Sequence, residues 1–511
     1  MASPFFSVRK VNGVYQTQGV AHCSLGHRIC AHNSDKADGV FAEWNWDGDK
    51  LIVSNDRYGF FPLYYFLSDN GIAISPSLLQ VVALGAPTAF DDAALAVFLR
   101  LSFFISEDTP FKAIRLIPPD TSFCWSDGKL GVTGRFTSSK RQHLKRDEVI
   151  DTYIALFRSA IERRLQNLGK TAVPLSGGRD SRHILLELCR AGHPPDITVT
   201  LLHLPPRSNG DAESAAQLTS ALRIQHTILD QSKSRLLAEL RKNIDTNFST
   251  FEHGWLMPMA DYFNGRVQSI YDGVGGDVLS AGLFLTEELV NLYETGNLSG
   301  LADKLLTRDN PERALQSLLT AKRYKDLSYE LAKSHLVKEL EKHTEQVNPT
   351  TSFFFFNRSR RVASFNNGLF PSVPNVYSPY IDHEVFDFMT SQPARVYLDY
   401  QLHTDAIARA HPEFAHVPYD KRDYSRVSRN HFRKFTLELS RYHLTRRSRS
   451  LRDRFILSRL IANLALGHGG ITWLSPLTVY FTQLEDLANG RNPVSNRRYV
   501  EEERRWNQHE C

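Results

Sequence analysis

Through the first 135 residues, apolar and polar positions alternate in short runs: "GVFAEWNW", "KLIVSND", "PLYYFL", "GIAIS" and "TSFCWS" each read as a strand. Asp-Gly, Asp-Asn-Gly and Asp-Gly-Lys turns separate them, the pattern of an antiparallel sheet. One stretch, "DDAALAVFLRLSFF", has helical spacing instead, with Asp91 or Asp92 placed to cap it. These runs predict a compact α+β domain. The polar stretch "GRFTSSKRQH", residues 134–143, has no periodicity and reads as a linker. From Asp147 the period lengthens, and Val149, Ile150, Ile154, Phe157 and Ile161 fall on one helical face. The strand "TAVPL", a helix after Asp180, the strand "ITVTLL" and the helix "DAESAAQLTSALR" follow in order. Such alternation predicts an α/β fold with a doubly wound parallel sheet. Beyond Thr286 the chain reads as largely helical, with Phe353–Phe356 as buried core. The expected division is a first domain over 1–135, a second over 145–440 and a basic helical extension over 441–511.

Size and composition narrow the classes. At 511 residues the chain is too long for one core. With 42% hydrophobic and 23% charged residues it is an ordinary globular sequence, neither disordered nor membrane-embedded in composition. No apolar run approaches the roughly 20 residues that cross a bilayer. The opening Met1-Ala2-Ser3-Pro4 has no basic segment followed by an apolar core, so no secretory signal is expected. The five cysteines are odd in number, scattered and without a CxxC pair, which suits reduced thiols in a cytoplasmic protein better than a disulfide frame or zinc site. A net charge of +5 is small for this length, and nucleic acid is not an expected partner. The local exception, Arg441 to Arg459, holds seven arginines against Asp453 alone. It reads as a solvated helix face or a contact with an anionic neighbour, ahead of an RNA or membrane patch.

The chemistry concentrates in "VPLSGGRDSRHILLEL", residues 173–188, where a strand hands over to a helix through two glycines and an aspartate. In an open parallel sheet, ligands bind beyond the carboxyl ends of the strands. Gly177 and Gly178 let backbone approach a ligand, and the helix N-terminus behind them favours phosphate. Ser176 and Ser181 add hydroxyl donors. Asp180 would repel a phosphate unless a cation stood between, which implies Mg²⁺ held by carboxylate and phosphate oxygens together. Neither a Walker A lysine nor GxGxxG is present, so this is neither an ordinary P-loop nor a dinucleotide site. A second turn, "SIYDGVGGDVLSAGLF" at 269–284, again runs from an apolar strand into glycines and an aspartate. There Asp277 can supply a second carboxylate, and Gly273, Gly275 and Gly276 let a substrate lie against backbone.

These two motifs, SGGxDS after a strand and a glycine-aspartate loop about a hundred positions later, resemble the synthetase domain of the asparagine synthetase (glutamine-hydrolysing) family, a branch of the PP-loop ATP pyrophosphatases. "SNDRYGFFPLYYF", "TPFKAIRLIPPDTSF", "FNRSRRV" and "VYSPYIDHEVFDFM" are similar to further segments of that family, so the resemblance spans about residues 40–425. It implies an Ntn-hydrolase-like sandwich followed by a PP-loop domain, and an ATP-dependent reaction. A carboxylate attacks the α-phosphate, magnesium pyrophosphate leaves, and an amine displaces AMP. It assigns Ser176, Gly177, Gly178, Asp180 and Ser181 to pyrophosphate and Asp180 and Asp277 to Mg²⁺. Leu175 falls where the strand end meets the nucleotide and Gly275 where backbone meets the adenylate. Arg358 and Lys421 are candidates to neutralise phosphate or adenylate charge, Lys421 as a catalytic group. The partners implied are ATP, a small-molecule or peptide carboxylate and a possible second copy of the chain.

The chain departs from that family at both ends of the reaction. Its glutaminase half uses an N-terminal cysteine, and this sequence has Ala2 there, with Cys23 and Cys30 internal. "FAEWNWD" begins by residue 41, which leaves little room for the family's leading glutamine-binding strands, so a shortened and silent glutaminase-like domain is expected. Val274 stands where relatives carry glutamate, and Asn375 and Tyr377 where they carry glutamate and arginine. The expected activity is therefore amide formation by adenylation, using ammonia or an amine, as β-lactam synthetases and lasso-peptide cyclases do. Asparagine synthesis with ammonia from elsewhere and a non-catalytic ATP-binding scaffold are the alternatives. A tRNA-modifying PP-loop enzyme is disfavoured, because the paired cysteines of thiolating members are absent.

Overall fold

The computed structural model describes residues 3–29, 37–133, 139–166, 168–203, 207–250, 253–308, 312–420, 433–466 and 474–491. Ten strands build the first domain: β1 (Phe6–Val11), β2 (Val14–Gly19), β3 (His22–Ile29), β4 (Asp38–Trp46), β5 (Leu51–Asn55), β6 (Tyr64–Ser68), β7 (Gly71–Ser75), β8 (Ile114–Leu116), β9 (Ser122–Ser126) and β10 (Lys129–Thr133). They form two antiparallel sheets, ordered β2-β1-β7-β6-β8 and β10-β9-β5-β4-β3. Inward-facing Phe6, Val8 and Ile74 of one sheet meet Trp44, Val53 and Trp125 of the other in a shared core. A helix, α1 (Asp92–Leu101), lies outside the sandwich; Asp91 caps it by accepting the Ala94 N–H.

The stretch expected to be too short for leading strands holds three of them, β1 to β3. Two of them escape the apolar pattern because they are thinly buried: all six residues of β2 are exposed or half-exposed, and only Ile29 of β3 is buried, whereas β1 buries Phe6 and Val8. The resulting α+β sandwich is otherwise the one expected.

After the linker, α2 (Arg146–Glu162) leads into five parallel strands: β11 (Thr171–Pro174), β12 (Ile197–Leu201), β13 (His226–Leu229), β14 (Ser269–Tyr271) and β15 (Asn375–Tyr377). Their order is β13-β12-β11-β14-β15. The chain steps outward from β11 to β13, then crosses back to lay β14 on the other side of β11. The strand order therefore reverses between β11 and β14, and the crevice above their carboxyl ends is a topological switch point. Helices α3 (Asp180–Arg190), α4 (Gly210–Leu222), α5 (Arg235–Asp245) and the single turn α6 (Gly276–Leu279) follow individual strands or flank them. Beyond α6 the regular elements of the described residues are helices apart from β15, which at three residues is too short to leave a periodic signal. A π-helical turn, Phe355–Ser359, interrupts the helical run from Pro349 to Leu369. Among the described residues no helix is long and apolar enough to cross a membrane.

The two domains share a core. Tyr58, fully buried, packs its ring against Phe355 and Phe386 of the second domain. Buried Arg360 donates to the Gly59 and Ile117 carbonyls, and its neighbour Arg361 to those of Ser106 and Asp108. Arg164, also buried, bridges Asp382 at 2.7 Å and Asp38 at 3.2 Å. Each guanidinium reaches acceptors of the other domain, although Arg164 Nε is left without a partner, so the interface is fixed by polar geometry as well as by packing. The helix Arg433–Thr445 runs across the expected boundary at 440 and 441. In the arginine-rich stretch, Arg441, Arg447, Arg449, Arg452, Arg454 and Arg459 are exposed and Arg446 pairs with Asp486.

Candidate functional site

Both glycine turns lie at the switch point, one after β11 and one after β14. The first is held from within: the Ser176 N–H donates to the Ser181 hydroxyl at 3.0 Å and the Gly178 N–H to the Ser176 hydroxyl at 3.2 Å. Gly177 faces the opposite way, donating to Asp211 on α4 and accepting from the Asp420 N–H. A β-carbon at Gly177 would lie 2.7 Å from that of Asp420, so only glycine fits. Asp180 opens α3, whose positive end therefore sits beside the carboxylate.

The second turn closes against the first. Asp272 donates its N–H to Tyr377 and accepts that of Val274. Gly275 takes a φ of +92°, which glycine adopts without strain, and reverses the chain into α6. A β-carbon at Gly273 would lie 2.8 Å from that of Asp180, and one at Gly276 would lie 2.8 Å from its carboxylate. The glycines of the second turn are thus what lets Asp180 rest on it, which brings Asp180 and Asp277 to one place. Behind Asp180, the Tyr380 hydroxyl donates to its carbonyl at 2.9 Å, and His403 Nδ1 stands 3.3 Å from its carboxylate.

An open cleft of about 280 Å³ results, lined by Ser176, Asp180, Ser181, Gly275, Asp277 and Arg358. Asp272, Gly273, His253, Val274 and Ser359 also line it. Arg358 and Ser359 come from the π turn, whose extra residue re-aims the helix toward the cleft. Burial pushes the Asp277 carboxyl up to about 6, and the charge of Asp180 adds to it, while Arg358 and the Val278 N–H work the other way. A carboxylate destabilised by its neighbour in this way is relieved by a cation between the two. The oxygen donors of Asp180 and Asp277 suit a hard ion such as Mg²⁺.

Of the residues singled out from sequence, Ser176, Asp180, Ser181, Gly275, Asp277 and Arg358 come together at the cleft. Leu175 lies behind it, buried among Leu185, Leu218 and Ile407, with its carbonyl taken by the Thr200 hydroxyl. Gly177 turns toward Asp211, Gly178 lies at the edge of the turn, and Lys421 lies outside the described residues. Sequence reasoning missed His253, Tyr380 and His403, which carry no local motif. It also missed Asp272, although this residue sits inside the quoted glycine loop. Tyr377, which stands where relatives carry a charge, is buried against His27 and Tyr271 and does not line the cleft.

Comparison with known proteins agrees with this layout. Residues 21–136 match the glutamine amidotransferase domain and residues 152–465 match asparagine synthase. No curated protein matches the sequence. Among the solved structures that match is one titled "Structure of the allosteric regulatory enzyme of purine biosynthesis", at 9% identity and a TM-score of 0.15. The match covers 38% of this chain and 47% of that one, so the chain spans about half the length of that structure. With the asparagine synthase match covering more than half of its residues behind a glutaminase-like sandwich, the chain belongs to the asparagine synthase family.

Proposed function

We propose that the protein is an ATP-dependent carbon–nitrogen ligase that adenylates a substrate carboxylate, releases pyrophosphate and passes the acyl group to ammonia or an amine, without hydrolysing glutamine itself. The observation that carries this reading is the meeting of Asp180 and Asp277 at the switch point, under a helix N-terminus and opposite Arg358. A carboxylate is a poor acylating agent, and attack on the α-phosphate requires the charge gathering on pyrophosphate to be neutralised. Asp180 and Asp277 would hold Mg²⁺, which supplies that neutralisation when bound. The hydroxyls of Ser176 and Ser181 and the end of α3 orient the leaving phosphates. Arg358 balances the remaining negative charge. Glycine at 276 leaves room for the Asp180 carboxylate to rest on the second turn.

Two features favour an external amine. Cys23 lies within β3, paired to Trp44, and burial raises its thiol above the ordinary range, which makes it a poor nucleophile. The joint between the domains is filled by Arg164, Asp38, Asp382 and the rings around Tyr58. At the cleft Val274 contributes an apolar wall where relatives carry a charge, which favours a carboxylate substrate with apolar bulk.

ATP–pyrophosphate exchange across a panel of carboxylates, with Mg²⁺ and with Asp180→Ala as control, tests the proposal. Exchange driven by one carboxylate and abolished in the control supports it, and exchange driven by aspartate would narrow it to asparagine synthesis. ATP binding without exchange from any carboxylate or peptide would overturn it in favour of a scaffold. Release of glutamate from glutamine would overturn its second half.

A further inference from the structure

Two fully buried histidines stand behind the first glycine turn. His183 lies on α3, on the turn after Asp180, and His403 comes from the helix Leu402–Ala410. Their facing nitrogens, His183 Nδ1 and His403 Nε2, are 3.2 Å apart, so one donates to the other. The second nitrogen of His403, Nδ1, stands 3.0 Å from the Ser280 hydroxyl and 3.3 Å from Asp180 Oδ1. The second nitrogen of His183, Nε2, is buried with no hydrogen-bond partner among the described residues. Phe157 stacks on the His183 ring and Tyr153 meets both imidazoles edge-on, which leaves neither ring room to turn.

The neighbouring groups assign the protons on these rings. The Ser280 hydroxyl gives its hydrogen to the Gly276 carbonyl at 2.7 Å, so towards His403 its oxygen accepts and Nδ1 carries the proton. A bare Nδ1 would also set a lone pair against the Asp180 carboxylate. The Tyr380 hydroxyl, 3.4 Å from His403 Nε2, likewise gives its hydrogen to the Asp180 carbonyl. His403 Nε2 is therefore bare and takes its hydrogen bond from the His183 Nδ1–H. That leaves His183 Nε2 bare too, which is the cheaper way to bury an unpartnered ring nitrogen, because an orphaned N–H is rarer than an orphaned acceptor. Burial pushes His183 well below its ordinary value, with His403, His411 and Arg158 acting in the same direction, in keeping with one proton on that ring.

Tyr380 holds the first turn by the Asp180 carbonyl, and Ser280 holds the second by the Gly276 carbonyl. His403 reaches both of those hydroxyls and the Asp180 carboxylate as well. We propose that His403 is a positioning residue for Asp180: kept as the Nδ1–H tautomer by His183, it aims that N–H at Ser280 and Asp180 and fixes the carboxylate on the second turn, beside Asp277. This rests on the assignment of Asp180 to the magnesium–phosphate group. Partners of a metal-binding carboxylate set its orientation, and losing one costs about 10- to 100-fold in metal affinity. The glycine turn supplies the carboxylate, and the histidine pair decides which way it points.

An asparagine amide can take the place of Nδ1 and a glutamine amide that of Nε2, so these two replacements separate positioning from packing. Calorimetric titration with ATP at fixed Mg²⁺ should find His403→Asn within about threefold of wild type and His403→Gln weakened about tenfold or more, with the two variants melting alike. His183→Asn keeps a donor toward His403 and should also stay within about threefold, whereas His183→Leu should weaken binding about tenfold. In an Asp180→Asn background the His403 replacements should have no further effect, because they act through that carboxylate. Nitrogen-15 spectra of the histidine-labelled protein without ATP should show Nδ1 protonated and Nε2 bare in both residues, whichever variants fold. Equal weakening by His403→Asn and His403→Gln, an undiminished effect in the Asp180→Asn background, or a protonated Nε2 on His403 would overturn the proposal. ATP binding by the wild type that ignores Mg²⁺, alongside the expected tautomers, would instead sink the metal assignment and leave the histidine pair as the clamp on Asp180.

Discussion

Replacing Gly276 by alanine isolates the contact between the two glycine turns. Gly276 begins the helical turn α6 and does not use a left-handed φ, so alanine can adopt its backbone and gains about 1 kcal/mol of helix propensity. The cost is local. The added β-carbon would stand 2.8 Å from Asp180 Cγ and Oδ1 and 2.9 Å from Tyr380 Cε2, whereas ordinary contact begins at 3.4 Å. Tyr380 is fully buried, stacked on Phe157 and hydrogen-bonded to the Asp180 carbonyl, so it has little freedom to yield. The Asp180 carboxylate therefore gives way by at least about half an ångström and turns from Asp277. Misplacement of a metal-binding group on this scale costs about 10- to 100-fold in affinity, or roughly 1.4–2.8 kcal/mol. Calorimetric titration with ATP at fixed Mg²⁺, beside a thermal melt of the same sample, reads both quantities. The expected outcome is weakened ATP binding with a melting temperature within about 3 °C of wild type. ATP binding within twofold of wild type, with the melt unchanged, would refute the assignment of Asp180 to the magnesium–phosphate group.

Other outcomes follow from the same geometry. Arg358→Met should weaken ATP binding about tenfold, because the cleft loses the cation facing its carboxylates, with little change in the melt since Arg358 is only half-buried. Tyr58→Ala removes a fully buried ring from the joint between the domains and should cost about 3–5 kcal/mol, read as a lower urea midpoint and faster amide exchange across Phe355–Ser359. The joint should also be acid-sensitive. Burial opposes ionisation of Asp382, but Arg164 and Arg163 outweigh it and hold the carboxyl well below its ordinary value of 3.8. A group depressed in the folded state stabilises above its unfolded value and loses that contribution as pH falls through the range below it. Scanning calorimetry should therefore show wild-type melting temperature falling steeply below about pH 4, and falling less steeply in Asp382→Asn, which starts lower because Arg164 is left half-paired.

What could be read from the sequence, and what could not, divides along a physical line. The helix from Arg146 to Glu162, the Asp91 cap and the alternation that makes a parallel sheet each follow from spacing within a dozen residues, and each is present. The glycine turns were legible for the same reason: a turn that must let Asp180 lie on backbone has to spend glycines at fixed offsets, and those offsets are visible in one dimension. Of the leading strands, β2 and β3 were not legible because their side chains are thinly buried, and β15 because it is a three-residue edge strand defined by its neighbour β14.

The groups around the cleft that sequence missed come from scattered places. His403 reaches Asp180 from a helix more than two hundred positions downstream, and the π turn that aims Arg358 depends on how many residues fit between two packed helices. A family's shared chemistry is thus written in backbone turns, which constrain residue type locally. Substrate choice rests on side chains assembled from distant segments, where each position taken alone is an ordinary surface or core residue. In the proposed reaction the ATP half stands on the first kind of signal, whereas the amine and carboxylate rest on the second.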